Sequence, residues 1–390
     1  MDSRYDVVIV GARVAGASTA LTLARAGARV ALLDRSGYGS DTLSTHGLMR
    51  AGVYQLWRLG VLDDVVRAGT PEVRHTLFHY AGQQSVQISI KPGLGVPALY
   101  APRRQVIDKI LVDAAAEAGV DVRHGVRVTG SVAEGGRVSG VGGIGPDGKD
   151  FEVGAGFVIG ADGVRSVVAD SVGASIVRQG KASSAVLYRY YADLPVAGYE
   201  WAYGLGGAAG MIPTNDGLTC VLVATTPERM RHLRRGGSEA AFEALLDLAA
   251  PEHRWRVDQA TAADRLHGWS GWPGFLRQPW GPGWALVGDA GYFKDPITAH
   301  GMTDALRDAE LLSVALLTGW SGGAPEASVL ASYQARRDSL SVRLFEATEK
   351  IADYDWNLPG VQRLLREVSS AMTDELEVLQ GSLTSGAIAG

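Results

Sequence analysis

One stretch near the start of the chain constrains the fold more than any other. The β-branched run YDVVIV predicts a buried strand, Gly11 follows it at a turn, and ASTALTLARAG predicts a helix that stops at Gly27. ARVALLD then predicts a second strand, which ends at Asp34. Two strands joined through a helix in this way lie parallel in one sheet, so we expect an α/β fold.

The turn of this unit matches a phosphate-binding glycine fingerprint at two of its three positions. Gly11 and Gly16 occupy the first and third positions, and Arg13 occupies the second. The helix N-terminus suits a pyrophosphate, and Asp34 suits the hydroxyl groups of a ribose. Arg13 either points away from the phosphates or lies over them and offers its guanidinium. The stretch indicates dinucleotide binding and leaves these two orientations of Arg13 open.

The composition is that of a globular protein and argues against several classes of partner. Hydrophobic residues make up 46% of the chain, charged residues 20%, and the net charge is -5. An acidic chain offers no basic field for nucleic acid or an anionic membrane. The single cysteine, Cys220, lies in an apolar run, which predicts a buried thiol and a reducing compartment. Without a signal-like or membrane-spanning apolar run, we expect a cytoplasmic protein.

The order of the predicted elements indicates a nucleotide domain that is interrupted by a β-rich insert. AGVYQLWRLGVLDDVVRAG predicts two helices broken at Gly60, and an alternating aromatic pattern over 183–225 predicts an antiparallel sheet. We predict a discontinuous Rossmann-type domain over 1–75, 100–182 and 276–330, a β-sheet substrate domain over 76–99 and 183–275, and C-terminal helices over 331–390.

Two further motifs, taken together with the N-terminal unit, indicate a particular family of proteins. VIGADGVRSVVA places Asp162 and Gly163 after an apolar strand, and WALVGDAGYFKDPITAHGM places Gly288 and Asp289 after another. Each motif alone is an ordinary turn. With the glycine fingerprint before them, in this order, the chain resembles the FAD-dependent monooxygenases similar to p-hydroxybenzoate hydroxylase. The resemblance implies a Rossmann-type FAD-binding domain of the GR2-like kind.

The resemblance also assigns individual residues to FAD. The pyrophosphate would lie on Gly11, Ala12, Arg13, Ala15 and Gly16, the ribose on Asp34, and the adenine near Arg35. In this family an arginine that opens a helix with the pattern R-x-x-(apolar)-x-x-x-(apolar) contacts FAD, which implies Arg104, with Arg103 as the other candidate. Asp162 and Gly163 would help to hold FAD and the nicotinamide cofactor, Gly288 and Asp289 would reach the ribityl chain, and Pro296, Gly301 and Met302 would lie beside the flavin ring. There the dipole of the following helix would stabilise the anionic reduced flavin.

The chain departs from the family pattern beside the flavin ring. Tyr292 stands where the family often has histidine, Ala299 where it has glycine, and Thr303 where asparagine is common. These changes all lie at the expected flavin edge and leave the expectation of FAD binding intact.

The resemblance implies that NADPH or NADH reduces FAD, and that one oxygen atom of O₂ then hydroxylates or epoxidises a hydrophobic, aromatic small molecule. Five aromatic residues alternate in the insert, and they either line a wall for such a substrate or only pack the sheet. They are Tyr188, Tyr190, Tyr199, Trp201 and Tyr203. His46 is a candidate flavin-side or substrate contact, or else a loop histidine. The residues give no catalytic base, and the chain is expected to be a monomer or a homodimer.

Three other activities use the same framework. Reductases of the geranylgeranyl type are compatible with GDAGYFKDPITAHGM, and some relatives bind FAD as a non-redox cyclase or scaffold. GWSGWPGF (268–275) is similar to a flavin-dependent halogenase motif, although its spacing differs. No metal site is predicted, because His75 and His79 are four residues apart without a nearby glutamate signature and fit a strand pair better.

Overall fold

The computed structural model describes residues 5–82 and 84–384. The strands are β1 (Tyr5–Val10), β2 (Val30–Asp34), β3 (His75–Tyr80), β4 (Gln84–Ser89), β5 (Asp121–His124), β6 (Arg127–Glu134), β7 (Arg137–Ile144), β8 (Asp150–Gly160), β9 (Ile176–Gln179), β10 (Ala185–Ala192), β11 (Tyr199–Gly204), β12 (Gly207–Pro213), β13 (Thr219–Thr225), β14 (Thr261–Ala262), β15 (His267–Trp269), β16 (Phe275–Arg277), β17 (Trp280–Gly281), β18 (Trp284–Leu286) and β19 (Tyr292–Phe293). The helices are α1 (Val14–Arg25), α2 (Arg50–Arg58), α3 (Leu62–Arg67), α4 (Arg104–Glu117), α5 (Val167–Ser171), α6 (Pro227–Leu233), α7 (Ser238–Ala249), α8 (Arg254–Gln259), α9 (Gly301–Gly322), α10 (Glu326–Ala352) and α11 (Leu358–Thr384).

The first sheet carries the predicted strand–helix–strand unit at its centre. Its order is β17-β18-β8-β1-β2-β5, with β7 on β8 and β6 on β7. Strand β1 runs parallel to β2 and β8, and β18 runs parallel to β8. The carboxyl ends of these strands therefore meet at one edge of the sheet, which is where ligands bind in folds of this class. The fingerprint, the Asp162 turn and the Asp289 turn all follow strands at this edge.

Both faces of the second sheet are buried. Its order is β14-β10-β13-β12-β11-β3-β4, with β15 on β10. The predicted antiparallel pairing over 183–225 is confirmed, whereas β3 adds to β11 in parallel. One face carries a cluster of aromatic side chains, and the other packs on α7. Strands β3 and β4 join this sheet, as our domain division groups them, and the domain boundaries stay a prediction.

A small third sheet and the last helices complete the fold. Strands β19, β16 and β9 form this sheet. Helix α9 packs against both α1 and α10, and α10 packs against α11. The architecture confirms the predicted α/β FAD-binding fold with its β-sheet insert and C-terminal helices. Among the described residues, no helix is both long enough and apolar enough to cross a bilayer.

Candidate functional site

The glycine turn after β1 requires both of its glycines. Gly11 has φ +103°, and a Cβ added there would lie 2.4 Å from the carbonyl oxygen of Ala161. A Cβ added to Gly16 would lie 1.8 Å from the carbonyl oxygen of Gly11. The turn is therefore pressed between the first helix and the end of β8, and a larger residue at either position would push the backbone out of place.

Two long helices begin at this edge of the sheet without a capping side chain. Arg13 precedes α1 and His300 precedes α9, and neither side chain accepts a hydrogen bond from the first turn of its helix. Helix α1 also has no acidic residue in its first turn. The first N–H groups of a helix need acceptors, and a bound anion supplies them. The residues at the start of α1 therefore fit the pyrophosphate of FAD.

Asp34 lies buried at the end of β2 and is oriented by the backbone. Its carboxylate accepts hydrogen bonds from the N–H of Ala12 at 2.7 Å and from the N–H of Ser36 at 2.6 Å. It also lines a cavity with Ala12, Arg13 and Asp108, at the place expected for the adenosine half of FAD. Arg35 is exposed and does not line this cavity.

Arg13 is directed towards α4 and the loop that follows β2. Its guanidinium lies 2.9 Å from Asp108 and donates to Ser40 Oγ at 3.0 Å. Arg104 lies 3.2 Å from the same Asp108 carboxylate, so one acid holds both arginines. Arg103 lies elsewhere, 4.6 Å from the ring of Tyr190. Of the two candidate arginines, Arg104 is therefore the one beside the fingerprint.

Asp108 is a member of this site that the sequence analysis did not select. It is buried within α4, four residues after Arg104. That spacing places two side chains on one helix face, and it was the signal available in the sequence.

The carboxylate of Asp162 is used to hold its own loop. It accepts hydrogen bonds from Ser166 Oγ at 2.5 Å, from the N–H of Val167 at 2.7 Å and from the N–H of Val168 at 3.2 Å. Burial raises the pKa of Asp162, and these hydrogen bonds act against that rise. Gly163 beside it has φ +82°, a conformation that favours glycine. Asp162 therefore acts on the site through the shape of this loop.

The Gly288–Asp289 turn lies directly against the fingerprint. A Cβ on Gly288, which has φ +57°, would lie 3.0 Å from the Cβ of Ala15. The carboxylate of Asp289 has no hydrogen-bond partner among the described residues. Burial raises the pKa of Asp289 to about 6, although Lys294 and Arg104 act to lower it. A partly buried carboxylate without a partner fits the ribityl hydroxyl groups of FAD.

The segment expected beside the flavin ring runs from Pro296 to Met302. Ala299, at a position where the family has glycine, adopts φ 49°, so alanine here takes the left-handed conformation that glycine takes without strain. Thr303 Oγ1 accepts a hydrogen bond from the N–H of Met49 at 3.3 Å. Gly301 begins α9 and is exposed, and Met302 is buried. This segment therefore packs against the loop that carries His46.

A buried ionic cluster lies behind this segment and joins α9 to α11. His300 Nε2 lies 2.7 Å from Glu375, and Arg307 lies 2.9 Å from both Glu375 and Asp304. Lys294 forms a further ion pair with Asp304. We call these five residues the α9–α11 ionic cluster. Its acids are already paired with cations, while His300 Nδ1 is buried without a hydrogen bond among the described residues. Tyr292, at the histidine position of the family, is buried nearby and donates to the carbonyl of Ser341 at 3.3 Å.

His46 lies against the aromatic face of the second sheet. Its Nε2 is hydrogen-bonded to the hydroxyl of Tyr190, and the two rings are stacked 5.6 Å apart. Its backbone has φ 64°, which is uncommon for residues other than glycine and is found where tertiary structure imposes it, often at functional sites. Burial, with the charges of Arg104 and Arg103, lowers the pKa of His46 to about 3, so the imidazole is neutral.

The five predicted aromatic residues share one buried cluster but have different neighbours. Tyr188 and Tyr190 lie next to each other and next to His267, on the His46 side. Tyr199 donates to the carbonyl of Tyr100 at 2.5 Å, and Trp201 lies beside it. Tyr203 packs between other rings, 6.1 Å from those of Tyr80 and Trp356. The structure thus brings Tyr188 and Tyr190 to His46, whereas Tyr203 packs towards the C-terminal segment.

Comparisons with known proteins indicate the family to which the chain belongs. The family described as FAD binding domain matches residues 4–348. A digeranylgeranylglycerophospholipid reductase of Methanocella arvoryzae is 24% identical over 372 residues, which cover 92% of this chain and 91% of that protein. A menaquinone reductase of Mycolicibacterium smegmatis is 28% identical, with 88% and 84% covered. A 6-methylpretetramide 4-monooxygenase of Streptomyces rimosus is 28% identical, with 78% and 73% covered.

Solved structures share the fold over most of the chain. The myxobacterial chondrochloren halogenase CndH superposes with a TM-score of 0.77 at 24% identity, covering 85% of this chain and 79% of that one. The p-nitrophenol 4-monooxygenase PnpA of Pseudomonas putida superposes with a TM-score of 0.76 at 19% identity, covering 99% and 98%. With the family match over most of its length and a fitting cofactor site, the chain belongs to the FAD binding domain family and is an FAD-dependent oxidoreductase.

Proposed function

We propose that the protein is a monooxygenase that uses FAD and NADPH or NADH to hydroxylate or epoxidise a hydrophobic, aromatic small molecule. The observation that carries this proposal is the meeting of His46, Tyr188 and Tyr190 between the aromatic face and the segment before α9. Flat rings suit a flat aromatic substrate. The likeness to the Streptomyces rimosus monooxygenase adds support.

FAD, when bound, supplies the electron transfer and the activation of oxygen. The chain's own residues would bind and orient it: the start of α1 at the pyrophosphate, Asp34 at the ribose and Asp289 at the ribityl chain. The neutral imidazole of His46 keeps a buried, unpartnered Nδ1. That nitrogen offers a hydrogen bond to a substrate hydroxyl, while the hydroxyl of Tyr190 holds the other side of the ring.

A reductase acting on polyprenyl double bonds is the second candidate. The observation in its favour is that two reductases match more than four fifths of this chain, a larger share than the monooxygenase matches. A buried apolar wall would also suit a polyprenyl chain. Both candidates transfer electrons through FAD, so flavin reduction alone does not separate them.

The experiment is to supply the holoenzyme with NADPH or NADH and ¹⁸O₂, and to analyse the products by mass spectrometry. The probes are a panel of hydroxylated naphthalenes and anthracenes, with geranylgeraniol as the polyprenyl probe. A product that carries one ¹⁸O atom supports the monooxygenase. A product that gains two hydrogen atoms under anaerobic conditions supports the reductase and contradicts our proposal.

The His46→Asn variant tests the site itself, because asparagine tolerates the left-handed backbone of this position. We expect kcat/KM to fall about tenfold, because one hydrogen bond to the substrate is lost. The flavin content should be unchanged. Leu43→Asn, on an exposed residue of the same loop, is the control. An unchanged kcat/KM in His46→Asn would remove His46 from the substrate site.

A further inference from the structure

A second group of chemically active side chains lies apart from the flavin site. His79 is on β3, and Glu252 and His253 are in the short turn that links α7 to α8. One ligand atom from each of these three residues lies within 4.8 Å of the other two. The two imidazole rings meet edge to face, with centroids 4.5 Å apart. We call these three residues the His79 cluster.

Several polar atoms of the His79 cluster are buried without a partner. Within the described part of the chain, His79 Nε2, His253 Nε2 and both carboxylate oxygens of Glu252 have no hydrogen bond. The residues His79 and His253 are only 8% and 6% exposed. Buried polar atoms are nearly always paired, so several orphans at one point indicate a missing ligand.

The surroundings suit a metal-binding cluster. His79 Nδ1 lies 2.8 Å from Ser85 Oγ, which orients the ring, and 3.8 Å from a carboxylate oxygen of Glu252. Next to His253, Arg256 pairs with Glu200 at 2.7 Å and also donates to the carbonyl of Pro195. Arg256 is therefore neutralised by Glu200, and Glu252 leaves one negative charge for a cation.

His253 itself faces charges of both signs. Burial lowers its pKa, and His79 and Arg256 act in the same direction, while Glu200 and Glu252 act to raise it. Arg256 Nη1 is 3.3 Å from His253 Nδ1, a longer contact than the 2.7 Å contact between Arg256 and Glu200. A neutral His253 with an unpartnered Nε2 keeps one nitrogen directed at the other members of the cluster.

We propose that His79, Glu252 and His253 bind a divalent transition-metal ion, for which zinc is the best match. Two imidazoles and one carboxylate are a ligand set that zinc takes readily, in preference to magnesium or calcium. Glu200 lies 3.6 Å from His253 Nε2 but is held by Arg256, so it is placed to hold a water that completes the set. The partner of His79 is therefore the distant His253 and not His75.

The position of the cluster gives the ion a structural role. Neighbouring residues of a strand point to opposite faces, and Tyr80 belongs to the aromatic face. His79 is paired in register with Ala202, which packs on the α7 side. The ion would therefore fasten β3 to the turn after α7, on the face opposite the proposed substrate site.

The test uses tag-free holoenzyme that is stripped with EDTA, desalted, loaded with zinc and desalted again. Zinc is measured by mass spectrometry, and thermal stability is measured with and without zinc. The variants are His79→Gln, Glu252→Gln and His253→Gln, with His75→Gln on the same strand as the matched control. The flavin absorbance spectrum reports whether each variant is folded.

We expect one zinc per chain in the wild type and in His75→Gln, with a higher melting temperature when zinc is present. Each cluster variant should keep its flavin spectrum and bind zinc at least tenfold more weakly, without the thermal shift. A wild type that retains no zinc would overturn the proposal. Equal retention in all four variants would overturn it too, because the zinc would then lie elsewhere.

Discussion

At the scale of single residues, Arg13 shows how a chain can depart from a fingerprint and keep the site. The guanidinium does not enter the glycine turn, because Asp108 and Ser40 hold it at the edge of the adenosine cavity. It ties the loop after β2 to α4, and both of these elements line that cavity. An arginine at the second glycine position is therefore compatible with FAD binding.

Replacing Arg13 should loosen this edge of the cavity. In Arg13→Gln, the Asp108 ion pair is lost, and we expect FAD to bind about tenfold more weakly. The measurement is a titration of flavin-free protein with FAD, followed by flavin fluorescence. Arg29→Gln makes the same charge change at an exposed position and should bind FAD as the wild type does. Equal affinity of both variants would show that the loop does not need Arg13.

We expect Asp289 to lower the stability of the flavin-free protein and to strengthen the binding of FAD. Burial raises the pKa of Asp289 to about 6 from an ordinary value of 3.8, so the folded flavin-free protein binds more protons than the unfolded chain between these two values. Its stability therefore falls as the pH rises through that window.

In Asp289→Asn this pH dependence should be absent. The flavin-free variant should be more stable than the wild type at about pH 8, on the order of 2 kcal/mol, and similar to it at about pH 4. Its affinity for FAD should be lower, since an acceptor for the ribityl chain is lost. Urea unfolding at both pH values checks the first point. A variant that is less stable at the higher pH would show that Asp289 supports the apoprotein.

The local residues of the site could be read from the sequence, and the distant ones could not. Gly11, Gly16 and Asp34 belong to one short unit whose spacing is dictated by a turn and two strands. Glu375 and His253 reach their partners only through tertiary packing, and no local spacing marks such a pairing. Sequence reasoning compared His79 with His75 because the two are near each other in the chain.

At the scale of elements, α11 is joined by the α9–α11 ionic cluster to the segment from Pro296 to Met302, which is expected beside the flavin ring. Glu375 is the only acid that this helix contributes to the α9–α11 ionic cluster, and it contacts both His300 and Arg307. His300 directly precedes α9, whose first turn lies beside the expected flavin ring. The last helix is thus connected to the cofactor site through one carboxylate.

Removing the charge of Glu375 should destabilise the protein. In Glu375→Gln, a buried Arg307 loses one of its partners, and we expect a loss of about 3–5 kcal/mol in the free energy of unfolding. Glu377→Gln, two residues away and exposed, should change it by less than about 0.5 kcal/mol. Urea unfolding of both variants checks this difference. Similar values for both would mean that the ionic cluster adds little to stability.

Most elements followed from periodicity, and the exceptions have a physical cause. The strand–helix–strand unit, the helix pair broken at Gly60 and the antiparallel strands carry local patterns that match the structure. The parallel pairing of β3 with β11 joins strands more than a hundred residues apart, and no turn between them fixes its register. Ala299 adopts a left-handed turn without a glycine, which composition alone would not predict.

At the scale of the whole molecule, the expected FAD contacts come from stretches far apart in the chain. The fingerprint, Arg104 and the Asp289 turn are separated by long segments and meet only in the folded protein. FAD should therefore stabilise the entire fold, by about 2.7 kcal/mol when its free concentration is a hundred times the Kd.

A thermal melt of flavin-free protein measures this effect. FAD should raise the melting temperature by several degrees, because it binds only the folded chain. Riboflavin at the same concentration should raise it much less, since riboflavin lacks the pyrophosphate that the uncapped start of α1 is proposed to hold. If both ligands gave the same shift, α1 would have no part in binding the cofactor.

The link between α9 and α11 also has a consequence for synthesis on the ribosome. A nascent chain that has grown only to the end of α10 contains His300 and Arg307 but not yet Glu375. Until α11 emerges, His300 and Arg307 lack the acid that they share, although every residue expected to touch FAD has already been made. The segment from Pro296 to Met302 should therefore reach its final position late. FAD should bind after the last helix has emerged, rather than as soon as the nucleotide-binding strands have emerged.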